Sequence, residues 1–274
     1  MRRAFDVLLA TALAVVLTFL LLPLLALFVR VPPGTLAAQL TSDVALDALL
    51  VTLKTGVIAH VLVLAFGTPA AYLLATRRFR GRSVVIAAVE LPLVLPPAVA
   101  GIALLVAFGR RGLLGDTFSA VGVEIPFTQL AVVLAVAFVA SPFYVRQAIA
   151  SFSAVDPALL DASRTLGAGP SRTFRRVALP LAASGLGAGS ALAWARGIGE
   201  FGATIMFAGS FQGVTQTLPL AIYAQLDQDR DVAIAIGALL VLVSLAVLLA
   251  VKVIPSWTRS ASASLIGSAP SPSR

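Results

Sequence analysis

Asp161-Ala-Ser-Arg-Thr-Leu-Gly-Ala-Gly-Pro-Ser-Arg-Thr-Phe-Arg-Arg-Val-Ala-Leu-Pro180 is a polar, arginine-bearing stretch set between long apolar runs. Ionisable side chains are expensive in hydrocarbon, so a segment like this one faces water. The runs around it are about 20 residues or longer, the length that crosses a ~30 Å hydrocarbon layer as a helix. The chain therefore alternates between lipid and water, and this segment is its largest watery connection.

Composition agrees. Of 274 residues, 59% are hydrophobic and only 12% are charged, against about 25% charged in ordinary soluble domains. Membrane-spanning barrel strands would show alternating segments of roughly ten residues, and that period is absent. The fold class is an all-α, polytopic membrane protein with six transmembrane helices, one domain over residues 1–258. The spans are predicted at Val7–Val29, Thr52–Ala75, Val84–Phe108, Phe127–Ile149, Leu181–Ala208 and Val232–Ile254. Residues 259–274, rich in Ser, Ala and Pro, are expected to form a disordered tail.

Charge sets the orientation. With six spans, fourteen of the twenty cations fall on the side holding both termini, Arg77–Arg82 and the Asp161–Pro180 segment. Asp43, Asp47, Asp116, Glu124, Asp227, Asp229 and Asp231 fall on the other. Lys and Arg concentrate on the cytoplasmic side, so both termini and the segment are expected in the cytoplasm. The net charge of +8 is then a mark of topology and not of nucleic-acid binding. The first run is too long for a secretory signal core, and Leu27-Phe-Val-Arg-Val-Pro-Pro33 has no small-x-small cleavage site. It is read as an uncleaved span.

Much chemistry is excluded. There is no cysteine, and His60 is the only histidine, inside an apolar run; a packing or interfacial role suits it. A phosphate-cradling loop needs Gly-Lys-Ser/Thr, whereas Lys54 follows Leu53 and Lys252 follows Val251. The chain cannot take ATP by that route, so energy for pumping must come from elsewhere. Gly197-Ile-Gly-Glu-Phe-Gly202 matches a dinucleotide-binding pattern in letters, but that pattern needs a strand before it and a βαβ unit around it. Its glycines read instead as close packing or a local break in the fifth span. Ser184-Gly-Leu-Gly-Ala-Gly-Ser190 suits close helix contact in the same way.

Arg196, Glu200 and Glu90 are the notable charges inside spans. Arg196 and Glu200 are four residues apart and share a helix face; a salt bridge holding helices together and a gate in a pathway are both open. Glu90 precedes Leu91-Pro-Leu-Val-Leu-Pro-Pro97, where proline kinks the third span. Carboxylates so placed also suit a proton relay, which keeps a proton-coupled secondary transporter as the alternative.

In the opening segment, Asp156 can cap a helix with Pro157 in its first turn, and Gly167 can close it in a left-handed conformation. Leu159, Leu160, Ala162, Ser163 and Leu166 give that helix one mostly apolar face. A second short helix is predicted at Arg172–Val177, running into the fifth span at Leu179-Pro180. Such a face suits the groove of a partner protein or the lipid interface.

These residues resemble the cytoplasmic-loop signature of the permease subunits of binding-protein-dependent ABC importers. That signature runs Glu-Ala-Ala, three residues, Gly, nine residues, Ile, one residue, Leu-Pro. Asp161-Ala162-Ser163, Gly167, Val177 and Leu179-Pro180 keep every spacing, with Asp for Glu, Ser for Ala and Val for Ile. Arg77-Arg-Phe-Arg-Gly-Arg82 and Leu91–Pro97 look like the same permeases. Ala195-Arg-Gly-Ile-Gly-Glu-Phe-Gly202 is similar to the oxyanion branch, whose sulfate and thiosulfate permeases carry a related pattern. Its continuation through Gly209, with Thr215-Gln-Thr-Leu-Pro-Leu-Ala-Ile-Tyr223, looks more like molybdate permeases.

The resemblance implies a non-catalytic pore subunit in a bacterial inner membrane. It implies a homodimer of permease chains on two ATPase subunits, with an external substrate-binding protein delivering the anion. ATP and Mg would be bound by the ATPase, and no cofactor or metal by this chain. Asp161, Ala162, Ser163, Gly167, Val177, Leu179 and Pro180 would couple to the ATPase. Arg196, Glu200, Phe201 and Gly202 are the candidates for the pathway or a gate.

Overall fold

The structure, a computed structural model, describes residues 2–266, with side chains over residues 3–250 save Thr35. The described chain is helical throughout: α1 Arg2–Arg30, α2 Pro33–Leu40, α3 Asp43–Thr76, α4 Arg82–Val94, α5 Pro97–Phe108, α6 Gly115–Ala120, α7 Gln129–Ser153, α8 Pro157–Thr165, α9 Pro170–Thr173, α10 Leu179–Ile198, α11 Gly202–Ala208, α12 Leu218–Gln225 and α13 Arg230–Ile266. A π-helical turn over Phe174–Ala178 joins α9 to α10.

Five helices are long and apolar enough to cross a membrane, and a sixth span is made if α4 and α5 count as one. The expected spans are present, with two corrections. The third is broken and not merely kinked: α4 and α5 are bent by 116°. Pro96 and Pro97 together remove two ladder donors, and the residue before a proline is pushed out of the helical region. Leu95 (ψ 133°) and Pro96 (ψ 134°) are accordingly extended. Pro92 alone stays inside α4.

The fifth span is the second correction. It runs without a gap from Pro170 to Ile198, so the expected short helix does run into it at Leu179-Pro180, but it ends short of the expected Ala208. A helix-interior proline clashes with the carbonyl four residues back, and the π turn just before Pro180 widens the backbone there. At its far end the span stops at Ile198, and α11 begins a new helix at Gly202. The local break allowed for by Gly197–Gly202 is therefore present.

Helix α13, which holds the sixth span, continues to Ile266, into the residues expected to form a disordered tail. Extending an established helix adds one hydrogen bond per residue at little cost. The rest of that tail lies outside the described residues.

Side-chain oxygens start two of the long helices, and the second span begins at Asp43, ahead of the expected Thr52. Ser42 Oγ accepts from the Ala45 amide and Thr128 Oγ1 from the Ala131 amide, each at 3.4 Å. α7 is the central post, with Val132, Ala135, Val139, Tyr144, Ala148 and Phe152 buried along its length. Gly189 lets α10 lie close against it: a Cβ there would sit 3.0 Å from Gln147 Cβ. Small residues that let backbones approach are the usual means of packing helices in lipid.

Candidate functional site

The Asp156–Pro180 segment is built as a bracket on one end of the bundle. Asp156 Oδ1 accepts from the Ala158 amide at 2.9 Å and starts α8. Gly167, at φ 82°, ends it in the left-handed region that favours glycine. Leu160 is the anchor, buried with Phe152, Val155 and Ala178. Tyr72 of α3 packs on Phe152 and Phe174, with ring centroids 5.3 and 4.8 Å away. Ser163 Oγ and Thr173 Oγ1, 3.1 Å apart, tie α8 to α9.

The opposite face of α8 is open. A groove of about 610 Å³ runs between α8 and the start of α10, with Leu159, Ala162, Ser163 and Leu166 on one wall and Arg172, Arg176, Val177 and Pro180 on the other. Leu166 is 88% exposed, an apolar side chain with nothing of its own chain to cover it. The structure thus brings Ala162, Ser163, Val177 and Pro180 to one concave surface. Asp161, Gly167 and Leu179 stand off it. Asp161 accepts from Arg164 at 2.8 Å, Gly167 sets the turn, and Leu179 packs against the core. Removing the anchor should loosen the bracket. Leu160→Ala is expected to cost about 2 kcal/mol or more, read as faster amide hydrogen exchange over residues 157–166 with the spans unchanged.

The second set of candidates lies at the other end of α10. Arg196 Nη1 forms an ion pair with Glu200 Oε2 at 2.7 Å. Glu200 Oε1 accepts from the Ala203 amide, also at 2.7 Å. The Glu200 side chain is 1% exposed and that of Arg196 29%. The carboxylate therefore bridges the break, binding the end of α10 to the first turn of α11. Phe201 packs on Tyr223 of α12 at 5.2 Å. A Cβ on Gly202 would meet Pro97 Cβ at 2.6 Å, and one on Gly101 would meet the Ala203 carbonyl oxygen at 2.6 Å. The two broken spans touch at their breaks. Arg196, Glu200, Phe201 and Gly202 form this junction and do not line a groove comparable to that beside α8.

His60, half-buried, is hydrogen-bonded through Nε2 to Ser190 Oγ at 2.8 Å and sits edge-on to Trp194. That is the packing role. In the loop between α5 and α7, Arg110 Nη2 donates to both oxygens of Glu124, at 2.6 and 2.7 Å. The hydrogen bond and charge of Glu124 raise the Arg110 guanidinium above its ordinary value. No group of three or more His, Asp or Glu able to hold a metal occurs among the described residues.

With this architecture in place, comparison with known proteins is informative. Residues 67–260 match the family described as the binding-protein-dependent transport system inner membrane component. This chain belongs to that family. The inner membrane component is 46% identical over 239 residues to the molybdenum transport system permease protein ModB of Mycobacterium tuberculosis, covering 86% of this chain and 89% of that one. It is 35% identical over 228 residues to the probable sulfate transport system permease protein cysT of Nephroselmis olivacea, covering 83% of this chain and 79% of the relative. In fold it is similar to a chain of the bacterial alginate ABC transporter solved in complex with alginate pentasaccharide-bound periplasmic protein. The TM-score is 0.73 at 16% identity, covering 90% of this chain and 92% of that chain.

One charged pair of this inner membrane component escaped the sequence reading. Arg146, inside the expected fourth span at its cytoplasmic side, lies in α7 and faces Glu90 of α4 at 3.6 Å. The available signal was their opposite sign inside otherwise apolar spans. Pairing them needed knowledge that α4 lies against α7.

Proposed function

We propose that this chain is the pore-forming subunit of an ATP-driven importer of an oxyanion, molybdate, across the cytoplasmic membrane. The groove beside α8 carries the coupling half of this reading. It is apolar at Leu159, Ala162 and Leu166, basic at Arg172 and Arg176, and held rigidly on Leu160. A preformed concave surface at the watery end of a membrane bundle suits the insertion of a partner. In this reading the partner is an ATPase subunit, two of them serve a pair of these chains, and ATP and Mg stay with the ATPase. An external binding protein hands the anion to the opposite end. Both termini lie in the cytoplasm, in keeping with the basic excess on that side.

Molybdate as cargo rests on the likeness to the mycobacterial molybdenum permease. The sulfate reading has its own observation, the lower identity to the sulfate relative. Deletion of the gene separates them. Molybdate uptake should be lost with sulfate uptake intact; loss of sulfate uptake with molybdate uptake intact would reverse the assignment.

A proton-coupled carrier fits less well. Glu200 has both oxygens occupied by Arg196 and the Ala203 amide, and Glu90 faces Arg146.

A further inference from the structure

We infer that each chain holds one structural water in a small cavity between α3, α7, α10 and the start of α12, apolar over most of its wall with a few polar side chains among them. The cavity is distinct from the groove beside α8. Its volume is about 20 Å³. A water needs at least about 10–15 Å³ of such space and two to four polar partners, so there is room for one and no more.

The partners are on the walls. Thr52, Thr55, His60, Trp194, Glu200 and Thr217 all face the cavity. Most are already engaged. Thr52 Oγ1 donates to the Ala48 carbonyl and accepts from the Leu218 amide, Thr55 donates to the Val51 carbonyl, and His60 bonds Ser190. Two are not. Trp194 Nε1 and Thr217 Oγ1 are both buried with no hydrogen-bond partner, and Thr217 is only 4% exposed. Buried polar groups in native proteins are almost always satisfied by protein or by ordered water.

Thr217 sharpens the point. It occupies the N-cap position of α12, where a threonine ordinarily accepts from the first-turn amides, yet its side chain makes no capping bond. The hydroxyl is left to the cavity instead. A water there accepts from the indole N–H and bonds the Thr217 hydroxyl. It stitches α10 to α12 just as Thr52 stitches α3 to α12 through the Leu218 amide at 2.8 Å. The discontinuous stretch from Ile198 to Leu218 is thereby fastened on two sides.

The chain has two tryptophans, Trp194 and Trp257, so Trp257→Phe leaves Trp194 as a single reporter. The indole N–H vibration in ultraviolet resonance Raman reports hydrogen bonding directly. In Trp257→Phe protein reconstituted in lipid it is expected at the hydrogen-bonded position. Adding Thr217→Val should shift it toward the free position. A density map of the protein in lipid that resolves ordered water should show one peak within bonding distance of both Trp194 Nε1 and Thr217 Oγ1. A free indole N–H in the Trp257→Phe protein, or an empty cavity in such a map, would overturn the inference.

Discussion

Ala162→Asp is expected to abolish ATP-driven uptake while the protein still inserts and keeps its helix content. Ala162 lies on the open groove and is exposed, so the spans should form as before. The damage is to the partner's seat. An unpaired charge pressed into an otherwise apolar contact costs about 2 kcal/mol or more, roughly 30-fold in affinity. Were Arg172 or Arg176 to swing across and neutralise the new carboxylate, they would fill the groove and exclude the partner equally well. Gly167→Pro should have the same outcome for a different reason. Gly167 sits at φ 82° and its amide donates to the Arg164 carbonyl at 2.9 Å; proline demands φ near about −65° and has no amide to give. Uptake assays paired with co-purification of the ATPase check both. Normal transport by either variant would remove the coupling role from this segment.

The second large effect is expected at the helix break. Glu200→Ala would leave the Arg196 guanidinium and the Ala203 amide without their acceptor in a buried site. Breaking one side of a buried pair costs about 3–5 kcal/mol. For a domain of this size that is a fall in Tm of roughly 10 °C. Glu200→Gln keeps an acceptor for Ala203 and loses only the charge, so its fall should be smaller. Replacing both partners together, Arg196→Met with Glu200→Gln, should recover part of the loss, because the stranded cation is gone. Thermal unfolding in one detergent reads all three. An unchanged Tm for Glu200→Ala would show that the pair does not hold the junction, and would reopen a direct role for Glu200 in transport.

What was legible in the sequence follows the range of the physics involved. Span existence depends on local composition, and all six apolar runs are helical in the structure. The helix start at Asp156 and the stop at Gly167 depend on a few neighbouring residues, and the bracket of α8 was readable for that reason. The break at Leu95–Pro96 was half-readable: proline pairs are visible, but whether they kink or sever a helix depends on what receives the freed ends. Here Gly101 and Gly202 let α5 and α11 meet at the break, and that contact joins residues about a hundred positions apart.

The same distance explains what was not legible. Glu90 and Arg146 pair across two helices, and the groove joins residues of α8 to residues at the start of α10. The π turn before Pro180 is a local event with no sequence mark of its own. It lies within one continuous rod from Pro170 to Ile198. That rod directly links the groove-bearing segment to the Arg196–Glu200 junction. A displacement at α8 would be carried along α10 to the break, which gives the proposed coupling a mechanical path through a rigid element.

The most direct test is molybdate uptake by proteoliposomes holding this chain, with and without its ATPase subunits and binding protein, under an ATP supply or a proton gradient. Uptake is expected only in the complete assembly with ATP inside the vesicles, and the proton gradient should change nothing. Uptake by this chain alone, driven by the gradient, would contradict the account.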